Sequence, residues 1–255
     1  MSDSSFRNPR GKGKKRNDWQ DHETVNFKKD RVESDLEQLA HECRELTVDY
    51  LSRESFSATL CEVVGEALDI FSSRCSGYHF DPEPACRKGC YYCCCEQVDV
   101  TQAEAAYIGF KLLSSYTESE IKDIMKEVDR TTVEVGNGRT AAVAKTPCVF
   151  LKNNICGIYE ARPLACRGRN SFDEIDCKLN FKGDGYYDSI QSHQIPMDIA
   201  ESIQEGLLRG TKNLGLEAGL LDLRTAVKIM LHIGVAECVD AWLQGDFFFG
   251  KSRSL

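Results

Sequence analysis

Apolar residues return at helical intervals along much of the chain. Leu36, Leu39, Ala40, Cys43, Leu46 and Tyr50 form one stripe. Phe56, Leu60, Val63, Val64, Ala67, Leu68 and Phe71 form a second. Steps of three and four residues are those of a helix that buries one face, so two amphipathic helices are predicted, joined near residues 52–55 with Ser55 as a cap. Cys43 lies on the first stripe and reads as a small apolar core side chain. Further on, Thr101 with Glu104 and Thr117 with Glu120 each present a capping box, in which hydroxyl and carboxylate satisfy each other's backbone N–H groups. The first opens a helix through about Leu113; the second opens one whose buried face is Ile121, Ile124, Met125 and Val128.

Between these helical stretches the pattern changes. Gly77 to Pro84 breaks the helix, and Gln97 to Val100 can form a short extended piece. Gly136, Asn137 and Gly138 mark a loop. Cys148-Val-Phe-Leu and Ile155-Cys156-Gly-Ile-Tyr159 are short apolar runs around Lys-Asn-Asn, which predicts a β-hairpin. Glu160 to Arg167 reads as a helical turn with Pro163 near its start. Helical periodicity resumes from Pro196 to about Trp242, including Leu221, Leu223, Val227, Met230 and Leu231. Gly210, Gly215 and Gly219 are expected to interrupt it, giving two or three helices. The fold class is mainly α with a small β-hairpin, an irregular cysteine-rich core being flanked by helices. Four stretches are expected: a disordered basic arm (1–30), a helical N-terminal segment (31–78), a cysteine-cluster region (79–180) and a C-terminal helical segment (181–255) on the same domain.

The chain has 255 residues, 42% of them hydrophobic and 28% charged, ordinary values for a soluble protein with a core of its own. No apolar run is long enough for a membrane span, and the basic N-terminus lacks the apolar stretch of a secretory signal; a cytoplasmic location is expected. Residues 1–16 carry a local net charge of +5, which leaves −13 for the remainder of a chain whose total is −8. Such an acidic body should repel nucleic acid, and the arm reads as a solubilising tail because no aromatic or base-reading element accompanies it. The sequence indicates no specific partner.

Cysteine changes this picture. Thirteen are present, an odd number that excludes complete internal pairing. Cys86, Cys90, Cys93, Cys94 and Cys95 form one dense group, and Cys148, Cys156, Cys166 and Cys177 a second. In a reducing compartment such spacing points to a bound metal or iron–sulfur cluster, because thiolate is the soft donor that zinc and iron–sulfur centres select. Neighbouring residues diverge on a helix or strand, so Cys93 and Cys94 cannot serve one metal in the same manner. Either one is a spectator or the set divides between two centres. A four-thiolate site around Zn²⁺ keeps about −2 formal charge. Arg87, Lys88, Arg162, Arg167 and Arg169 stand beside the proposed ligands and could compensate it. His79 lies nearest the cysteines in sequence. Glu96 and Glu160 could act as acid–base groups, although four sulfurs leave no open position for water. Tyr91, Tyr92 and Tyr159 could shield a centre.

The string Cys86-Arg-Lys-Gly-Cys90-Tyr-Tyr-Cys93-Cys94, followed by Pro147-Cys148-Val-Phe-Leu and Cys156-Gly-Ile-Tyr159-Glu160-Ala-Arg162-Pro163-Leu-Ala-Cys166-Arg167, resembles the YkgJ-type cysteine-cluster family. The resemblance covers roughly residues 80 to 180 and implies a zinc- or iron-chelating domain. It carries the ligand pattern onto Cys86, Cys90, Cys93, Cys94, Cys148, Cys156, Cys166 and Cys177, with Cys95 extra to it. A related arrangement in the flagellin lysine methylase implies iron–sulfur-linked methyl transfer as a chemistry open to such a domain; a methyl-transfer or redox enzyme is therefore the alternative to a binding protein. Cys86-x3-Cys90-x-Tyr92-Cys93 also resembles the cluster motif of radical S-adenosylmethionine enzymes. Those resemble a partial β/α barrel, whereas the segments after Cys95 predict helices and one hairpin. No H-E-x-x-H, G-x-S-x-G or phosphate-loop motif is present, and Gly183-Asp-Gly185 reads as a turn.

Overall fold

The computed structural model describes the backbone of residues 19–53, 56–136, 145–183 and 190–246, and the side chains of 32–53, 58–131, 145–183 and 190–246. The chain divides into two compact units, residues 1–35 and 36–255, and all contacts described below lie within the second. Most of the described residues are helical. The expected cap Ser55, the loop residues Asn137 and Gly138, and the basic residues of the arm fall outside them.

Helix α1 runs Trp19–Leu51 and α2 Phe56–Ser76. The start of α1 at Trp19 takes in residues 19–30, which were expected to be disordered. No glycine or proline interrupts residues 19–51, so helix propensity carries where an apolar stripe is lacking. The two stripes face one core: Leu39, Cys43, Leu60, Val63, Val64 and Ala67 are all buried. Helices α3 (Gln102–Ser115) and α4 (Glu118–Gly136) both open on the expected capping boxes. Glu104 N–H donates to Thr101 Oγ1 at 3.2 Å while Thr101 N–H donates to Glu104 Oε2 at 2.9 Å. The Thr117–Glu120 pair repeats this with distances of 3.3 and 3.0 Å.

The hairpin also forms. Strands β1 (Asp99–Val100), β2 (Leu151–Lys152), β3 (Ile155–Cys156) and β4 (Leu221–Asp222) make two antiparallel pairs. In the β2–β3 hairpin Leu151 faces Cys156, and Asn153 and Asn154 turn the chain with φ of 52° and 60°. Asparagine tolerates these left-handed values, and two in succession make the turn that matches strand twist. The β1–β4 pair joins segments more than a hundred residues apart, with Val100 opposite Leu221. Two residues per strand carry no periodic signal, so the partner of the extended piece was not foreseen.

Five further helices complete the fold: α5 (Leu164–Gly168), α6 (Glu174–Lys182), α7 (Ile195–Asn213), α8 (Leu223–Ile233) and α9 (Val235–Leu243). Gly210 does not interrupt a helix, contrary to expectation; it lies inside α7. A Cβ at Gly206 would stand 2.5 Å from Ala40 O and 2.5 Å from Cys43 Cβ, and one at Gly210 would stand 2.8 Å from Arg44 O. Glycine is there because α1 and α7 cross with backbones nearly touching, an arrangement that costs about 1 kcal/mol of propensity per glycine and gains close packing. Gly215, with φ of 74°, follows the end of α7 as expected. Among the described residues no helix is long and apolar enough to cross a membrane.

Cys43 and Cys238 sit in this core at 0% exposure, and burial pushes both thiols up to about 12 from an ordinary value of 9.0. The sign follows directly. Above pH 9 the unfolded chain loses these protons before the folded chain does, so the stability they contribute is present below pH 9 and drains away as the pH rises towards 12. Each thiol steepens the loss by about 1.4 kcal/mol per pH unit. Denaturant unfolding at pH 8 to 11 should therefore show a shallower pH slope in Cys238→Ala than in the parent chain. Equal slopes would mean that the thiol is not shielded.

Candidate metal centre

Short local hydrogen bonds set the cysteine-bearing segments. After α2 the chain turns irregularly: Cys90 N–H donates to Arg87 O at 3.0 Å across Gly89, whose φ of 92° favours glycine. A 3₁₀ turn, Tyr92–Cys95, follows directly, so Cys93, Cys94 and Cys95 leave one tight turn in different directions. Ala85 N–H donates to Ser171 O at 2.8 Å, which lays this segment against the approach to α6, the helix that bears Cys177. Cys148 N–H donates to Cys94 O at 2.8 Å and pins the hairpin to the same turn. Leu151 N–H bonds Cys148 O at 2.9 Å and Gly157 N–H bonds Phe150 O at 2.8 Å, holding Cys148 and Cys156 at the hairpin base. A 3₁₀ turn at Tyr159–Ala161 and then Pro163 lead into α5, which carries Cys166.

Four of the predicted ligands, Cys86, Cys90, Cys93 and Cys177, line a single cavity of about 240 Å³. Tyr92, Glu96, Arg169, Asn170 and His193 share its wall. Cys94, Cys148, Cys156 and Cys166 do not line it. Cys156 lies near Cys148, and Cys166 is near Cys148, Cys93 and Cys156, so Cys93 of the cavity wall also borders this second group. Cys95 is buried, its Sγ 3.9 Å from Tyr91 O. All thirteen cysteines are free thiols. Among the described residues, however, no three histidine, cysteine or acidic side chains stand in coordination geometry around one point. The predicted sulfurs share a neighbourhood; binding an ion requires them to close in.

Cys86, Cys90, Cys93, Cys148, Cys156, Cys166 and Cys177 all favour their protonated form. Burial raises Cys86, Cys90, Cys156 and Cys177, and carries Cys148 up to about 11 and Cys166 up to about 12. Cys93 is raised chiefly by its hydrogen bond to Cys94 and then by burial. Neighbouring cysteines push in the same direction, since a second thiolate close by is repelled. A cation among them reverses the balance, because coordination deprotonates a thiol outright. Cationic side chains face them as well. Arg162 lowers Cys86 and Cys156, Arg169 lowers Cys93 and Cys166, and Arg224 lowers Cys148.

The arginines expected to compensate thiolate charge have distinct roles. Arg169 donates to Cys93 O at 3.1 Å and Gln97 O at 2.7 Å, bracing the turn. Arg167 donates to Arg162 O and Glu160 O, which shapes the approach to α5. Arg87 is paired with Glu174 on α6. Arg162 stacks over Tyr159 at 3.9 Å, while its buried Nε–H has no acceptor. A buried donor without a partner costs about 1–3 kcal/mol, and a sulfur made anionic by metal is an acceptor that would relieve it. The donor set and this orphaned N–H fit a zinc or iron centre. Glu96 is paired with Lys145 at 2.7 Å. Tyr92 packs with Tyr91 and Phe181 beside the cavity, whereas Tyr159 is 55% exposed and shields little.

His193, not His79, is the histidine that lines the cavity. Its ring lies between Phe80 and Phe172 at centroid distances of 4.8 and 4.4 Å, with Nε2 donating to Pro82 O at 2.8 Å. Asn170 grips its backbone N–H and C=O, each at 2.8 Å. No local motif surrounds His193; only the folding of α6 and α7 around the cysteine loop brings it there.

A family model described as "CxxCxxCC: Putative zinc- or iron-chelating domain" matches residues 85–183. Cys86 to Cys177 all lie within the match. That stretch is similar to the domain family over well under half of the chain. The match agrees with the resemblance read from the cysteine strings, and zinc or iron chelation is the description given to that family. No curated protein and no solved structure matches the chain. Around the matched segment, α2 and α7 to α9 supply further helices, and α5 within the segment packs along α7.

Proposed function

We propose that the matched segment binds zinc or iron, as an ion or an iron–sulfur cluster, on thiolates drawn from Cys86, Cys90, Cys93, Cys94, Cys148, Cys156, Cys166 and Cys177. The observation that carries this reading is the cavity: Cys86, Cys90 and Cys93 come from one loop and Cys177 from α6, yet all four line one wall. The thirteen free thiols agree with a reducing, cytoplasmic setting. A bound metal would supply Lewis acidity or, as iron–sulfur, electron transfer. The protein's own contribution is to hold the sulfurs in one neighbourhood and to face them with Arg162, Arg169 and Arg224.

The test is elemental. Protein purified without oxygen and assayed for zinc, iron and acid-labile sulfide should contain metal in a whole-number ratio to chain. Broad visible absorption with matching iron and sulfide selects a cluster; zinc without colour selects the ion. Protein that arrives metal-free and takes up neither Zn²⁺ nor Fe²⁺ would refute the reading.

A catalytic reading, redox or methyl transfer on an iron–sulfur centre, has one observation in its favour: a structural centre needs no free volume, and about 240 Å³ adjoins these cysteines. A radical S-adenosylmethionine barrel is not supported, since the strands among the described residues are two residues long and antiparallel.

A further inference from the structure

We infer that Lys145 is a positioning residue for the metal centre: its ammonium ties Glu96 to Asn180 and so sets the spacing of three cysteine-bearing segments from which sulfurs close on a cation. This rests on the metal-binding reading above and deepens it.

Lys145 Nζ donates to Glu96 Oε1 at 2.7 Å and to Asn180 Oδ1 at 3.2 Å. The two acceptors lie 49 and 35 residues from the lysine along the chain. Each of the three groups stands three residues from a proposed ligand: Glu96 after Cys93, Asn180 after Cys177, and Lys145 before Cys148. Side chains at that spacing superpose on a 3₁₀ turn and share a face on an α-helix. Glu96 caps the Tyr92–Cys95 turn that bears Cys93, and Cys177 and Asn180 both lie on α6. All four line the cavity, and Lys145 does not. The lysine therefore joins two walls of the cavity without entering the space between them.

Backbone bonds carry the tie to the sulfurs. Glu96 N–H donates to Cys93 O at 3.3 Å, so the carboxylate cannot shift without the turn. Cys148 N–H donates to Cys94 O at 2.8 Å, which joins the lysine's own segment to the same turn. Thr146, the next residue, accepts at its carbonyl from Arg224 of α8, so the clasp is anchored on the helical core. It is also sheltered, the Lys145 side chain being 20% exposed and Asn180 8%. An exposed ion pair of long side chains contributes little, whereas one that bridges three segments at partial burial limits how far they part. Among the described residues no three ligating groups surround one point, so the sulfurs must move to take a cation. The clasp shortens that movement, and ligands held near their bound positions bind more tightly. It also engages Glu96, the one carboxylate among the described residues of the cavity wall, with an ammonium rather than with the ion.

Zinc affinity of the reduced full-length chain, measured without oxygen by competition with a chromophoric chelator, tests the clasp. Lys145→Met should bind Zn²⁺ roughly tenfold or more weakly than the parent chain, the loss typical of removing a group that orients metal ligands. Its zinc stoichiometry and helical circular dichroism should be unchanged. Lys145→Arg, which keeps the charge and the donors, should recover most of the affinity, a rescue that loss of packing alone would not show. Glu96→Ala should repeat the loss, and the Lys145→Met/Glu96→Ala double variant should be no weaker than either single one, because all three break the same contact. Lys126→Met, at an exposed pair on α4, should bind as the parent does. Parent-like affinity in Lys145→Met, no recovery in Lys145→Arg, or losses that add in the double variant would overturn the clasp while leaving metal binding intact. A parent chain that takes up no Zn²⁺ would remove both. Should Lys145→Met not fold, Glu96→Ala decides by itself, parent-like affinity overturning the clasp.

Discussion

Stripping metal from the loaded protein is expected to lower its melting temperature by roughly 8–16 °C without abolishing the helical signal. A cation present at a thousand times its dissociation constant stabilises the folded state by about 4 kcal/mol. A domain of this size loses about 2–4 °C per kcal/mol. Helicity should survive because the core is not built on the metal: Leu60, Val63, Ile108, Leu112, Leu207, Met230 and Trp242 are buried in a cluster whose own fully buried cysteines, Cys43 and Cys238, are not among the proposed ligands. The 85–183 segment should bear the loss, since its strands are two residues long and the thiols then remain protonated and mutually uncommitted. Calorimetry with and without chelator, and limited proteolysis to find where cleavage begins, test both halves of the expectation. An unchanged melting temperature, or first cuts outside 85–183, would contradict it.

Glu104→Ala is expected to cost on the order of 5 kcal/mol, which corresponds to a fall of roughly 10–20 °C in melting temperature. Glu104 is 1% exposed and its carboxylate serves three elements at once. Oε2 accepts from Thr101 N–H and from Gln204 Nε2 on α7, both at 2.9 Å, and Oε1 accepts from Leu164 N–H at 2.9 Å, at the start of the helix that carries Cys166. Burial pushes the carboxyl above its ordinary range while these donors pull it down. Alanine would leave all three N–H groups buried without an acceptor, at about 1–3 kcal/mol each. Glu120→Ala is the control, being the same capping box on an exposed helix start and worth about 1 kcal/mol. Denaturant titration of the two variants should separate them by several kcal/mol. Equal losses would show that Glu104 acts only as a cap.

That pair of boxes shows what the sequence discloses and what it withholds. Both were legible from Thr-x-x-Glu spacing, because capping is a contact over three residues. That only Glu104 also holds α5 and α7 was not legible, because those bonds span 60 and 100 residues. The same boundary runs through the site. Cys86, Cys90 and Cys93 announce themselves by local spacing, and the hairpin by its Asn-Asn turn. Which thiols share a cavity depends on how α6 lies against the turn at Tyr92–Cys95, and the arrival of His193 depends on α7 as well. Gly210 was misread for a related reason. Glycine marks a break when only propensity is considered, but here it permits a crossing whose other half lies some 160 residues earlier in the chain.

Those glycines have a mechanical corollary. A Cβ at Gly168, on α5, would stand 2.9 Å from Pro196 O, so the helix that bears Cys166 rests directly on the first turn of α7, while Gly206 and Gly210 rest the far turns of α7 directly on α1. At these junctions the neighbours are backbone and the short side chains of Cys43, Thr47 and Ala200, which have little room to yield. α7 is in effect a rod seated at both ends, so that, were Cys166 to shift on taking up a cation, the shift would be passed along α7 to its crossing with α1.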